Sequence, residues 1–222
     1  MPVIKRHSFL KRHPGMSRSA FSRHYLEHHG PLAAGLAGFR QYAFRYLQNH
    51  IDEDLTGAGE PPFDGLTMTF QVPREDYRQG FFQHPDYAKV RPDEEYLFDL
   101  SATVSVLGEE NIVHGQGLGG EKAIILVSRG PAATPDDRDL RSDVLVKYGA
   151  RHVIRNQLDT RTATALGFGK SALPYDRLWE IYFASSDERR AACGDRSFIA
   201  ELSSSTLNAQ PLALAVREFT IF

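Results

Sequence analysis

The chain has 222 residues, 41% hydrophobic and 24% charged, the balance of an ordinary globular protein long enough to bury a substantial core. A formal net charge of -2 and a pI near 6.5 exclude a dedicated nucleic-acid or polyanion binder, whose affinity rests on an excess of Lys and Arg. A single cysteine, Cys193, excludes an internal disulfide and any multi-cysteine metal site. Arg189 and Arg190 stand near enough in sequence to lower its thiol pKa, but no histidine is close, so it reads as an incidental thiol. No apolar run is long enough to span a bilayer and the N-terminus lacks a signal-peptide core, so a cytoplasmic protein without a membrane partner is expected.

Taken in order, Val3 to Leu10 reads as a strand closed by the turn signal His13-Pro14-Gly15. Its basic residues, Lys5-Arg6-His7, and those of Lys11-Arg12-His13 are expected in solvent. Ser17 is placed to cap a helix over 18–28, in which Phe21, Tyr25 and His29 follow at i, i+4 and i+8 on one side. Gly30-Pro31 should stop it. Phe39 to Ile51 alternates as a strand with a bulge in its register, and 63–70 is a further strand rich in apolar and β-branched residues. Residues 73–89 suggest one or two short helices broken at Pro85, 93–99 a second helical or turn segment, and 104–114 another strand.

After the glycine-rich stretch 115–120 the pattern begins again, with a strand over 122–128 and a helix over 136–148. Asn49-His50-Ile51-Asp52 is echoed by Asn156-Gln157-Leu158-Asp159, and Pro62-Phe63-Asp64-Gly65-Leu66 by Pro174-Tyr175-Asp176-Arg177-Leu178. Asp99-Leu100-Ser101 returns as Glu201-Leu202-Ser203, and Glu110 as Glu218. Four matches in one order at nearly constant spacing indicate an internal duplication. The expected fold is α+β: two ferredoxin-like βαββαβ units, residues 1–115 and 116–222, whose antiparallel sheets pack as a pseudo-dimeric α/β barrel. A pocket is expected between a sheet and its own helices. The second half has Lys147-Tyr148-Gly149-Ala150 where the first has His28-His29-Gly30-Pro31, and Gln157 where the first has His50. One working site, in the first half, is therefore expected.

The residues Gly15-Met16-Ser17, Phe21, Tyr25, His29-Gly30-Pro31-Leu32, Gly38, Tyr46-Leu47-Gln48-Asn49-His50, Phe63-Asp64-Gly65-Leu66, Asp93-Glu94 and Phe98-Asp99 closely resemble the EthD-like family of dimeric α/β barrel proteins. The resemblance spans roughly residues 3 to 114 and is more specific for fold than for reaction. The family commonly has Trp where this chain has Tyr25. Related barrels include polyketide cyclases, decarboxylases, dehydratases and cofactor-free monooxygenases. Most family members pair as homodimers, whereas this chain carries an internal pseudo-dimer, with further self-association left open.

His29 matches the family histidine and is the expected general acid/base, with His50 and Asp99 as the other catalytic candidates and Asp99 orienting an imidazole. Tyr25, Tyr46, His84 and Tyr87 are the expected substrate-binding residues. His24 and His28 have a chelating i, i+4 spacing, but no third ligand is evident in the sequence, so no metal is expected. No cofactor is expected either, since 115–120 lacks the helix that a nucleotide-phosphate loop precedes. With these residues, the resemblance implies a cofactor-independent lyase, a dehydratase, decarboxylase or cyclase, acting on an aromatic or polyketide-like small molecule. The alternatives are a cofactor-free monooxygenase of phenol or anthrone substrates and a non-catalytic small-molecule-binding protein.

Overall fold

A computed structural model describes residues 2–57, 59–116, 119–128, 142–166, 168–203 and 210–222. Its strands are β1 (Val3–Leu10), β2 (Ala43–Asp54), β3 (Gly65–Gln71), β4 (Val104–His114), β5 (Glu121–Val127), β6 (His152–Ala165), β7 (Phe168–Lys170), β8 (Arg177–Phe183) and β9 (Leu212–Thr220). The helices are α1 (Arg18–His24), α2 (Gly30–Ala34), α3 (Ala37–Tyr42), α4 (Tyr87–Leu97), α5 (Ser142–Lys147), α6 (Ser186–Gly194) and α7 (Arg196–Ser203). The strands pair antiparallel in the order β4-β1-β3-β2-β9-β5-β8-β6, and a β4–β6 pairing closes the eight into a barrel. β7 extends β6 outside the closed ring.

Over much of β1, β3, β5 and β8 both faces are buried, because one points into the barrel and the other towards a helix. On β1, Phe9 joins the apolar barrel core with Leu47, Met68, Ile124, Leu126 and Leu178. Lys5 and His7 share that inward face. Arg6, Ser8 and Leu10 face the helices of the first half. The solvated reading of Lys5-Arg6-His7 is thus corrected: the three are 0%, 7% and 0% exposed. Burial of the ammonium groups is offset by carboxylates from distant strands. Lys5 Nζ meets Glu180 at 2.6 Å and also Glu110; Lys122 Nζ meets Glu180 at 2.7 Å and also Glu218. Burial works to raise the Glu180 carboxyl, but Lys122 and Lys5 overrule it and hold the group well below the ordinary range.

Other expectations are revised. The helix does not stop at Gly30-Pro31: α1 passes through a wide π-turn, Tyr25–His29, straight into α2. The Gly30 N–H bonds the Tyr25 carbonyl five residues back, and Pro31, with no N–H to lose, follows that shift at the start of the next segment. Phe39 to Tyr42 lie in α3 rather than in a strand; the expected register break is found between Ala43 and Arg45 of β2. The break at Pro85 holds, but α4 runs unbroken through Pro92, so 93–99 is not a separate helix. The first part of the helix expected over 136–148 lies outside the described residues; α5 supplies its end. Cys193 is buried and burial pushes its thiol up to about 12 against the opposing charge of Arg189, so it is not activated. Among the described residues no helix is long and apolar enough to cross a membrane.

Candidate active site

Between the first-half strands and their helices lies a cavity of about 70 Å³. Its floor is polar, built by Arg6 and Ser8 of β1, Tyr46 of β2, and Thr67, Thr69 and Gln71 of β3. Its roof is His29, Phe39, Phe81, Tyr87, Glu94 and Phe98. The second half contributes Leu166, which sits at φ 45 in the left-handed region that a branched side chain rarely adopts, a place where backbone strain is held by the surroundings.

Ser17 caps α1 by accepting from the Ala20 N–H at 3.2 Å, and Phe21, Tyr25 and His29 follow on one buried face. Phe21 stacks on Tyr25 at 5.5 Å between centroids, Tyr25 meets His29 at a tilt at 5.8 Å, and Phe98 meets His29 edge-on at 5.2 Å. His28 stays exposed. Gly30 lets the turn lie close to β2: a Cβ there would stand 2.9 Å from Gln48 Nε2, which donates to the Tyr25 carbonyl.

The partner of His29 is Asp93. Its Oδ2 lies 2.8 Å from His29 Nδ1 and its Oδ1 lies 2.6 Å from His24 Nε2. Burial raises the Asp93 carboxyl, but the hydrogen bonds from His29 and then His24 outweigh it, and the group sits below its usual value. With Nδ1 engaged, Nε2 of His29 has no protein hydrogen bond among the described residues and is the nitrogen left for a ligand. The α4 spacing Tyr87, Val90, Glu94, Leu97 buries one helical face, bringing Glu94 into the cavity beside His29. Burial raises the Glu94 carboxyl; the Tyr87 hydroxyl, which donates to it, offsets this in part. Arg6 donates to the carbonyls of Tyr77 and Arg78, and burial lowers its guanidinium to about 10.

The other expected residues are distributed as follows. Tyr46 and Tyr87 line the cavity. Tyr25 is fully buried behind it, its hydroxyl against the Thr67 hydroxyl. His50 is not in the lining: Nδ1 pairs with the Ser22 hydroxyl at 2.6 Å and Nε2 with Gln48 Oε1 at 3.2 Å, while Tyr25 and Phe219 sandwich its ring. Burial, and then Arg217, lowers its pKa to about 4, so it is a neutral packing histidine tied through Gln48 to the Tyr46 hydroxyl. Asp99 does not reach an imidazole. Its Oδ1 accepts from Ser101 and Ala102 backbone N–H groups, the bonding of a turn-forming Asp. His84 packs on Phe81 and Tyr42 and accepts from the Asp86 N–H at 3.1 Å, outside the lining. Sequence reasoning missed Asp93, Glu94 and Arg6 as site residues. The signal for Glu94 was its i, i+7 relation to Tyr87.

Residues 13–101 match the EthD domain. A crystal structure named "putative monooxygenase" from Fusobacterium nucleatum subsp. nucleatum is 8% identical, with a TM-score of 0.55, covering 98% of this chain and 92% of that one. Another of that name from Lactobacillus acidophilus is 7% identical, with a TM-score of 0.47, covering 99% and 96%. The first of these likenesses supports the closed α+β barrel fold and, at such identity, nothing finer. No curated protein matches the sequence.

Proposed function

Starting from an EthD domain over residues 13–101, we propose that the protein is a small-molecule enzyme of the acid/base lyase type, independent of a cofactor, with His29 as the proton carrier. The observation that carries this reading is His29 on the cavity wall with Asp93 behind it, Nδ1 held at 2.8 Å and Nε2 left free. Asp93 fixes the ring and stabilises the imidazolium that forms when Nε2 accepts a proton. A proton taken beside a substrate carbonyl leaves an enolate, whose charge Arg6 and the hydroxyls of Thr67 and Tyr46 are placed to steady. Its electron pair then expels a hydroxide that leaves as water with the proton from His29, or attacks a second carbonyl in an aldol-type closure whose alkoxide takes the proton back from His29. In a decarboxylation, His29 instead delivers a proton to the carbanion left by carbon dioxide. Glu94, beside His29, is the second proton-handling group.

The cavity is smaller than the roughly 150 Å³ that takes a benzene ring. It therefore suits the small oxygenated end of an aromatic or polyketide-like substrate, held under Phe39, Phe81 and Phe98. In this reading residues 1–115 and 116–222 are two ferredoxin-like units forming an internal pseudo-dimer, the first carrying the site. The strand orders β4-β1-β3-β2 and β9-β5-β8-β6 support it, each being that of a βαββαβ unit.

The test is a panel of small β-hydroxycarbonyl compounds and β-keto acids, followed by mass spectrometry for loss of water or carbon dioxide and by an oxygen electrode. His29→Gln is expected to lower kcat by about 10²–10⁴-fold with an unchanged unfolding transition. Turnover that survives His29→Gln overturns the assignment, and turnover that consumes dissolved oxygen would assign the cavity to oxygenation.

A further inference from the structure

Behind the cavity, on the outer side of the π-turn, His24, His28 and Asp93 converge. Their ligand atoms all lie within 4.8 Å of one another, the one such group of three or more His, Cys, Asp or Glu among the described residues. We propose that this is a binding site for a divalent transition-metal cation of the zinc class. Two imidazoles and one carboxylate are a donor set for zinc, cobalt or nickel rather than for calcium or magnesium, which take all-oxygen shells.

The geometry is close to what such an ion needs. In a tetrahedral zinc site with bonds near 2.0–2.1 Å, ligand atoms stand about 3.3 Å apart. Asp93 Oδ1 is 2.6 Å from His24 Nε2 and 3.7 Å from His28 Nε2, values on either side of that spacing. The two histidines are four residues apart on a continuous helical path, which keeps both rings on one side, with centroids 4.7 Å apart. Asp93 reaches them from α4, its side chain 9% exposed, whereas the His28 side chain is 62% exposed. An ion would thus be held from the protein side and open to water on the other, with solvent completing the shell.

The supporting shell is also present. A carboxylate ligand in a working metal site is itself oriented by a hydrogen bond, and Asp93 has that bond from its second oxygen to His29 Nδ1 at 2.8 Å. The cation and the cavity histidine would share one carboxylate, one oxygen each. The site stands on these distances and does not depend on the reaction proposed for the cavity.

The full chain, stripped of metal, is titrated at neutral pH with cobalt(II), read by visible absorption, and with zinc, read by calorimetry. One equivalent of each is expected, with the intense visible bands of four- or five-coordinate cobalt. His28→Ala removes an exposed ring outside the cavity lining, so its urea unfolding should match the parent. It is expected to weaken binding at least about tenfold, the smallest loss typical even for groups that only support a ligand. His24→Gln should do the same. Absence of stoichiometric binding, or unchanged affinity in both variants, overturns the proposal.

Discussion

The two halves of the barrel are alike where they face each other and different where they face their helices. Inside, Lys5 pairs across the ladder with Phe70, and Lys122 with Tyr182; each ammonium lies over the ring it pairs with, at 4.6 Å and 5.1 Å. Glu110 stands beside Asn156, and Glu218 beside Asn49, across the two seams that join the halves. The likeness breaks one step along. His7 opposite Met68 in the first half becomes Ile124 opposite Glu180 in the second. Gly108 gives His7 its room, since a Cβ there would stand 3.1 Å from His7 Nε2 and 2.9 Å from Leu158. On the outer faces, Thr67, Thr69 and Gln71 of β3 correspond to Trp179, Ile181 and Phe183 of β8. Among the described residues the second half packs these with Leu145, Phe198 and Leu202, while the first leaves a polar-floored cavity. The lesson is that the barrel interior holds the halves together, and the outer faces are where a site can be opened or closed.

Breaking the interior should cost most. Glu180→Gln leaves Lys5 and Lys122 each with one fewer buried carboxylate, and about 3–5 kcal/mol of stability should be lost in urea denaturation. Ile181→Thr writes the first half's Thr69 into the packed layer. It removes apolar volume and buries a hydroxyl, and should cost roughly 2–3 kcal/mol. The reciprocal Thr69→Ile should fill the cavity floor and suppress ligand binding with little loss of stability.

His7→Ile sharpens the comparison through pH. Both ring nitrogens of His7 lack a partner among the described residues, and burial lowers its pKa to about 3, with Lys5 adding to the shift. Below about pH 6.5 the unfolded chain takes a proton that the folded His7 refuses until about pH 3. Stability therefore falls as pH drops through that window, by up to about 1.4 kcal/mol per pH unit from this group. His7→Ile should remove that share of the slope, read as the difference between the two proteins' unfolding free energies across the window. The smallest effect is a shared one. Ser17→Ala and Ser185→Ala each remove an N-cap, on α1 and α6, and each should cost about 1 kcal/mol in denaturation.

Much of the fold was legible because it is written locally. Strand β1 and the capped helix carrying Phe21, Tyr25 and His29 rest on short spacings. What was missed depends on partners far along the chain. Lys5 looks solvated until Glu180 is known to stand beside it, and His29 lacks its carboxylate until α4 is seen to cross the π-turn. Asp99 attracted a catalytic role as the acid following Phe98, but its own turn consumes its oxygens. Phe39 to Tyr42 misled by alternating aromatics, which tertiary packing placed on a helix.

The two seams, β2 with β9 and β4 with β6, lie within one chain. Dilution therefore does not part them, and their formation is a first-order event whose midpoint should not move with protein concentration. A barrel made from two identical chains would have to carry every interior residue twice, so a lone buried glutamate such as Glu180 would arrive with its own like-charged copy. Tethering removes that obligation. One chain can therefore hold a histidine at position 7 on one side and a glutamate at position 180 on the other.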